Sequence, residues 1–313
     1  MAARNHSYVA EFIWMLEAAL FDALRALARL FPIDYVSNSG AWLCRRLGPL
    51  TRAHRVAERN VRIAFPHLTD AEVKTLLQEQ WTELGRSLAE FAILDRVVAD
   101  GSRLAIDGEA LLGAIAAADR PVVFVSGHFS NFEMMAAAMV RCGVRVQVTY
   151  RAMNNPYMDE RVRRTRFSYG VRMFAPKGLE GARELMRAIG RGESVALLND
   201  QKFNGGVEVP FFGVPAMTAP GPSTFALRFG IPIQPLSVQR TGPGARFKVV
   251  VHEQIVLEDT GDRDADIAEG VRRITAFIED RVRARPAEWF WVHRRWPNDV
   301  YRRHEPVGAP APD

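Results

Sequence analysis

The segment Pro121-Val-Val-Phe-Val-Ser-Gly-His128-Phe-Ser-Asn-Phe-Glu133 runs from an apolar stretch through a small-residue turn into a helix start. A short Val/Phe run bounded by Pro reads as a buried strand. Sites in open α/β sheets lie beyond the carboxyl ends of such strands, which is where His128 stands. A carboxylate follows five residues later. An imidazole at the mouth of a strand, oriented by a nearby carboxylate, can work as a general base. The same residues have a plainer reading, because Ser130 and Glu133 form the S-x-x-E pattern of a helix capping box. Glu133 can fill both roles.

Working outward, strand and helix signals alternate beyond residue 104. Strand candidates are 122–125, 144–150, 195–198, 231–238 and 247–256; helix candidates are 131–141, 156–169, 179–191, 222–229 and 264–285. This alternation predicts an α/β fold with a mixed, mostly parallel central sheet flanked by helices. Upstream, residues 36–103 read as mainly helical. There Leu68-Thr69-Asp70-Ala71-Glu72 marks a helix start, and Leu76, Leu77, Trp81, Leu84 and Leu88 are expected to face inward. The organisation expected is an N-terminal amphipathic, membrane-associating helix over 1–35, one catalytic α/β domain over 36–300 (helical over 36–103, the catalytic sheet over 104–300), and a flexible tail over 301–313.

The 313 residues are 48% hydrophobic and 25% charged, an ordinary globular composition. The formal charge is +5, almost all of the excess being Arg, since Lys occurs only at 74, 177, 202 and 248. Such a surface suits anionic lipid head groups or an acidic carrier protein. No nucleic-acid-binding module is present in the pattern. Cys44 and Cys142 lie outside any C-x-x-C pair and are expected to be buried free thiols of a reducing compartment. The seven His show no paired ligand spacing, so neither a metal nor another cofactor is indicated.

Residues 8–31 carry apolar side chains at helical spacing (Phe12, Ile13, Leu16, Leu20, Leu24, Leu27, Phe31), interrupted by Glu11, Glu17, Asp22, Arg25 and Arg29. A charge at the bilayer centre costs roughly 2.5–3.5 kcal/mol, so this segment is not expected to span a membrane. An amphipathic helix lying in the membrane plane fits it; so does a helix whose apolar face packs on the core or on another subunit.

Further blocks carry polar residues at strand ends. Tyr150-Arg151-Ala-Met-Asn-Asn155-Pro156-Tyr-Met-Asp159 follows one strand candidate, and Arg161-Val-Arg163-Arg164-Thr-Arg166 continues it. Arginines so closely spaced are not expected all to pair within the chain. Leu198-Asn199-Asp200-Gln201 closes another strand candidate and leads into Val209-Pro-Phe-Phe212-Gly-Val-Pro-Ala-Met217, an apolar stretch without helix or strand period. That stretch suits a cleft lining, a bilayer contact or a kinked core loop. Near the end stands Pro286-Ala-Glu288-Trp289-Phe290-Trp291-Val-His293-Arg294-Arg295-Trp296, whose Trp residues suit a membrane interface or packing under the sheet.

The His128-x4-Glu133 pattern resembles the lysophospholipid acyltransferase superfamily. With Asn60, Phe65 and Pro66, the Tyr150–Asp159 block, Asp200-Gln201 with Phe211-Phe212-Gly213, and the Pro286–Trp296 block, the chain looks like the late acyltransferases of lipid A synthesis (the lauroyl and myristoyl transferases). Asn199 departs from the Pro usual there. The resemblance runs over about residues 10–300. It implies transfer of a fatty acyl chain from an acyl-carrier-protein thioester to a lipid hydroxyl, such as that of a lipid A precursor, at the cytoplasmic face of the inner membrane. His128 and Glu133 would be catalytic, with Glu133 orienting the imidazole. Asn131, Arg151, Arg166, Asp200 and Gln201 would bind substrate, and Phe211 and Phe212 would line the acyl pocket or face the membrane. A lysophospholipid, ornithine lipid or glycosylated phospholipid acceptor remains open, as does a catalytically silent membrane-binding protein.

Overall fold

The computed structural model describes residues 8–303 except 119, 151, 172, 173, 177 and 178, with the backbone alone at 174–176 and 179. Helices come first: α1 (Tyr8–Ala28), α2 (Ile33–Leu47), α3 (Arg52–Ala64), α4 (Asp70–Ala92) and α5 (Leu94–Ala99). Helix α4 begins on the capping box its sequence predicts. The Glu72 N–H donates to Thr69 Oγ1 at 3.3 Å, and the Thr69 N–H donates to Glu72 Oε2 at 2.8 Å. Leu76, Leu77 and Trp81 are buried as expected, but Leu88 is 58% exposed. Two residues on, about 200° around the helix, it is Glu90 that faces inward, fully buried in an ion pair.

The sheet then builds through β1 (Leu104–Asp107), α6 (Glu109–Ala117), β2 (Val123–Ser126), α7 (Glu133–Arg141), β3 (Val146–Tyr150), α8 (Pro156–Ser168), β4 (Phe174–Pro176), α9 (Leu179–Gly190) and β5 (Ser194–Leu198). A hairpin of β6 (Lys202–Phe211) and β7 (Val214–Thr218) follows, then α10 (Gly221–Phe229), β8 (Ile233–Arg240), β9 (Phe247–Val251), α11 (Arg263–Ala284) and α12 (Asn298–Arg303). Seven strands form one sheet in the order β1-β9-β8-β2-β5-β3-β4. All neighbours are parallel except β8 and β9, so the expected mixed, mostly parallel sheet flanked by helices is what the chain forms. Every residue of the central strand β2 is buried, as an apolar run covered on both faces requires.

Sequence periodicity passes over the β6–β7 hairpin for a local reason. Phe211 pairs with Val214, so Phe212-Gly213 is a two-residue turn with φ of 54° and 73°. Positive φ at both positions is the turn that matches strand twist, normally signalled by Asn-Gly. Here a Phe occupies the first position, and its N–H donates to Glu279 Oε2 at 2.5 Å. Alternate residues Val209, Phe211, Ala216 and Thr218 face the core. Residues 301–303, expected in the flexible tail, belong to α12: Tyr301 is buried and donates its hydroxyl to Asn60 Oδ1, while the remainder of the expected tail, 304–313, lies outside the described residues. Cys44 and Cys142 are free thiols, half-buried rather than buried, with burial pushing both thiols up in pKa.

Helix α1 turns its charged side to the protein. Glu17 accepts from Asn155 Nδ2 at 2.9 Å, Glu11 from the Tyr157 hydroxyl at 3.0 Å, and Asp22 from Arg161 Nε at 2.8 Å. Arg29 donates to Asp95 at 2.7 Å. The apolar side is left in solvent, with Phe12 63%, Leu16 60% and Leu20 59% exposed. Tyr35, Trp42, Leu43 and Leu47 of α2 are exposed as well. Packing of this face on the chain's own core is therefore ruled out. Among the described residues no helix is long and apolar enough to cross a membrane.

Candidate active site

Parallel register brings the chemistry together. In neighbouring strands β2 and β5, Ser126 pairs with Leu198. His128 and Asp200 each follow two residues beyond that pair, so both emerge at the same carboxyl edge of the sheet. Asp200 Oδ1 accepts from His128 Nδ1 at 2.7 Å, and Oδ2 accepts from the His128 backbone N–H at 2.8 Å. The Trp289 indole Nε1–H also donates to Oδ2, at 2.8 Å. Gly127 is needed at this crossing, because a Cβ there would meet the Phe129 ring at 2.9 Å and Asp200 Oδ2 at 3.2 Å. Burial disfavours charge on Asp200, but the charge and hydrogen bonds of His128, with the Trp289 bond, hold its carboxyl far below the usual carboxylate range. An ionised Asp200 fixes the neutral imidazole as the Nδ1–H tautomer and leaves the Nε2 lone pair for a proton.

Glu133 does not do what the His-x4-Glu spacing suggests. Its carboxylate receives Arg166 Nη2 at 2.6 Å, Arg166 Nε at 3.0 Å and the Tyr169 hydroxyl at 2.7 Å. Among the described residues no hydrogen bond joins it to His128. Nor does the Ser130–Glu133 capping box form: α7 begins at Glu133 with no side-chain cap, and Ser130 takes φ of 44°. The backbone around Ser130 is instead tied to the C-terminal segment. The Ser130 N–H donates to Glu288 O at 2.7 Å, and the Phe290 N–H to His128 O at 3.2 Å.

His128 stands at a cavity of about 480 Å³. Phe124, Met135, Met139, Val148, Leu197 and Leu236 give it an apolar body, and His128, Glu133, Arg166, Gln201 and His293 give it polar groups. Volume and lining are those of a small-ligand site with a few convergent polar groups. Phe132 and Phe290 meet the His128 ring edge-on at 5.0 and 5.9 Å between centroids.

The residues expected to bind substrate separate into groups. Arg166 and Gln201 line the cavity. Arg151 lies outside the described residues. Asp200 has both oxygens engaged by His128 and Trp289 and does not line the cavity. Asn131 is buried, donates from Nδ2 to Glu90 Oε2 at 2.9 Å, and does not line the cavity. Phe211 and Phe212 are buried too, in a cluster with Trp289, Trp296, Phe65 and Trp291, and neither lines the cavity. The Trp-rich block is interior: Trp289, Trp291 and Trp296 are at most 3% exposed, pinned by Asn60 Nδ2 bonds to Trp291 O and His293 O. The arginine run is largely paired, Arg161 with Asp22, Arg164 with Glu160 and Arg166 with Glu133. Sequence reasoning leaves His293, which reaches within 6.5 Å of His128 between ring centroids, as a structural residue of the terminal block and gives Trp289 no part in the site; no spacing ties that block to His128.

The profile of one protein family, described as bacterial lipid A biosynthesis acyltransferase, matches residues 4–298. Relatives include the lipid A biosynthesis palmitoleoyltransferase of Escherichia coli (24% identical, 79% of each chain) and a lipid A biosynthesis acyltransferase of Haemophilus influenzae (24%, 91% of this chain and 90% of that one). The lipid A biosynthesis lauroyltransferase of Escherichia coli is 23% identical over 84% of this chain and 83% of its own. A crystal structure of the 1-acyl-sn-glycerophosphate acyltransferase of Thermotoga maritima aligns with 78% of this chain and 99% of that one at 13% identity and a TM-score of 0.36, a likeness too distant to bear on function. Matched over nearly its whole length, the chain belongs to the bacterial lipid A biosynthesis acyltransferase family and is an acyltransferase.

Proposed function

We propose that the enzyme moves a fatty acyl chain from an acyl-carrier-protein thioester to a hydroxyl of a lipid A precursor, with His128 as general base. The observation carrying this reading is an imidazole, braced at Nδ1 by a buried carboxylate, facing an apolar cavity of about 480 Å³. Nε2 takes the proton of the acceptor hydroxyl, whose oxygen attacks the thioester carbonyl. The C–S bond then breaks, and the imidazolium returns the proton to the departing sulfur. Developing oxyanion charge is favoured by the amino end of α7, whose Phe132 and Glu133 border the cavity. Asp200 takes the bracing role expected of Glu133. Glu133 holds Arg166 at the cavity wall, where burial works against the guanidinium but the Glu133 charge keeps it firmly protonated.

The purified protein, given a radiolabelled acyl-carrier-protein thioester with a lipid A precursor or with a lysophospholipid, is expected to label the lipid A precursor alone. Labelled phospholipid formed from the lysophospholipid instead would replace the acceptor; no label from either the carrier-protein or the coenzyme A thioester would overturn the reading. The cavity makes a further prediction. Ala136 lines it from α7, and Ala136→Phe shortens the room by several methylenes, each worth about 10-fold or more in discrimination. Competition between donors of different chain length is expected to shift towards shorter chains, with activity on the shortest retained.

We also propose that the enzyme works at the cytoplasmic face of the inner membrane, held peripherally. Helix α1 supports this placement by spending its charges on α8 and Asp95 and leaving its leucines outward, the amphipathic arrangement of an in-plane membrane helix. Replacing Leu16, Leu20 and Leu24 together by Ser is expected to lower partitioning onto anionic vesicles by at least about 100-fold, measured by sedimentation, while activity on detergent-dispersed acceptor persists. Unchanged sedimentation would remove α1 from the membrane contact.

A further inference from the structure

We propose that Trp289 is a positioning residue of this active site, its indole N–H setting both the place and the charge of Asp200 and, through Asp200, the basicity of His128. The inference rests on the reading of His128 as general base. Asp200 sits at 3% exposure with three donors around it. Two come from His128 itself, so they move with the loop they would have to fix. The third, Trp289, comes from a separate part of the chain, and its ring is held by groups outside that loop. It is 3% exposed and meets Trp291 edge-on at 4.6 Å and Phe211 at 5.6 Å, while its backbone forms an isolated antiparallel bridge with Phe129 of the loop. Trp289 is thus the one donor to Asp200 outside the His128 loop among the described residues.

The chemistry has a definite sign. A donor on Oδ2 draws negative charge away from Oδ1, where the imidazole is held, and so restrains how strongly Asp200 stabilises the imidazolium. Other charges facing the pair are Arg295, buried near Asp200, and His293, Glu133 and Arg166, which border the same cavity as His128. None of these changes when the indole N–H is removed. The protonated imidazole then gains stability, and the base is neutral over a narrower range.

The test is Trp289→Phe, which keeps an aromatic ring against Phe211 and Trp291 and lacks the donor. Expected are a kcat about 10-fold lower, KM within about twofold, and an acid limb of kcat/KM displaced to higher pH by about half a unit. In an Asp200→Ala background the same substitution is expected to cost under about twofold, since its route is gone. If Trp289→Phe fails to fold by circular dichroism, benzothienylalanine at 289 keeps the two-ring shape with sulfur in place of N–H and serves the same comparison. An unshifted acid limb, or an equal loss with and without Asp200, would make Trp289 a packing residue and overturn the proposal. A fully active His128→Ala control would instead overturn the general-base reading beneath it.

Discussion

Asp200→Asn is expected to lower kcat by about 10²- to 10⁴-fold, with KM nearly unchanged and the fold intact. Asp200 accepts three hydrogen bonds and donates none. An Asn amide has one acceptor oxygen and an NH₂ group, so it cannot serve the backbone N–H, the indole and Nδ1–H together. Turned to keep the first two, it presents NH₂ to Nδ1 and selects the tautomer with hydrogen on Nε2. That tautomer has no lone pair facing the acceptor hydroxyl. His128→Ala is expected to lose as much by removing the base itself. Glu133→Gln is expected to lose activity by another route: Arg166, only 13% exposed in its side chain, loses its charge partner at the cavity wall, and the loss falls on donor binding and stability. The distinction is read from pH profiles. Glu133→Gln should retain the acid limb of kcat/KM, and Asp200→Asn should abolish it. The reverse result would return the bracing role to Glu133.

The fold was legible because Val/Phe/Leu runs of strand length alternate with amphipathic segments, and that alternation survives any error of a residue or two at their ends. His128 was legible for the same reason, standing where such a run stops. Its partner was not. Nothing in the spacing of His128 and Asp200, 72 residues apart, says that β2 and β5 are neighbours in register; the nearer Glu133 is the better guess on sequence distance alone. Helix geometry decides against it, since α7 starts at Glu133 and carries the carboxylate towards α8, where Arg166 and Tyr169 meet it. Phe211 and Phe212 misled in the opposite way. Their stretch lacks an obvious period because a Phe fills a turn position normally held by Asn, which hides a hairpin whose alternate residues are core. The Trp-rich block reads equally well as interfacial or interior on composition, and only Asn60, more than 200 residues earlier, decides by bonding its carbonyls. The apolar spacing of the N-terminal segment shows in its sequence, but which side of α1 faces the protein depends on α8 and the residue before it supplying Asn155, Tyr157 and Arg161.

Glu90→Ala is expected to destabilise the protein by about 3–5 kcal/mol. Glu90 is fully buried on α4. Its Oε1 accepts from Ser37 and from Arg240 Nη1, both at 2.6 Å, and its Oε2 from Asn131 at 2.9 Å and Arg240 Nη2 at 3.2 Å. Arg240, on β8, also donates to Glu83 Oε2 and Gly244 O at 2.7 Å and lies over the Phe247 ring at 4.7 Å. One carboxylate therefore ties α2, α4, the sheet and the loop carrying His128. Truncation leaves a guanidinium with half its negative partners, and leaves Ser37 and Asn131 as buried donors with nothing to meet, each costing about 1–3 kcal/mol. Removing the charge pair as a pair should be gentler: Glu90→Leu with Arg240→Met is expected to cost less than either single change, because no uncompensated charge stays buried. Urea unfolding of the four proteins checks this through the midpoint and slope. A Glu90→Ala cost below about 1 kcal/mol would show that solvent or Glu83 replaces the lost carboxylate. Because Asn131 lies three residues from His128, the same truncation is expected to lower kcat even where the protein is fully folded, and Asn131→Ala should reproduce that part of the loss with a smaller change in midpoint.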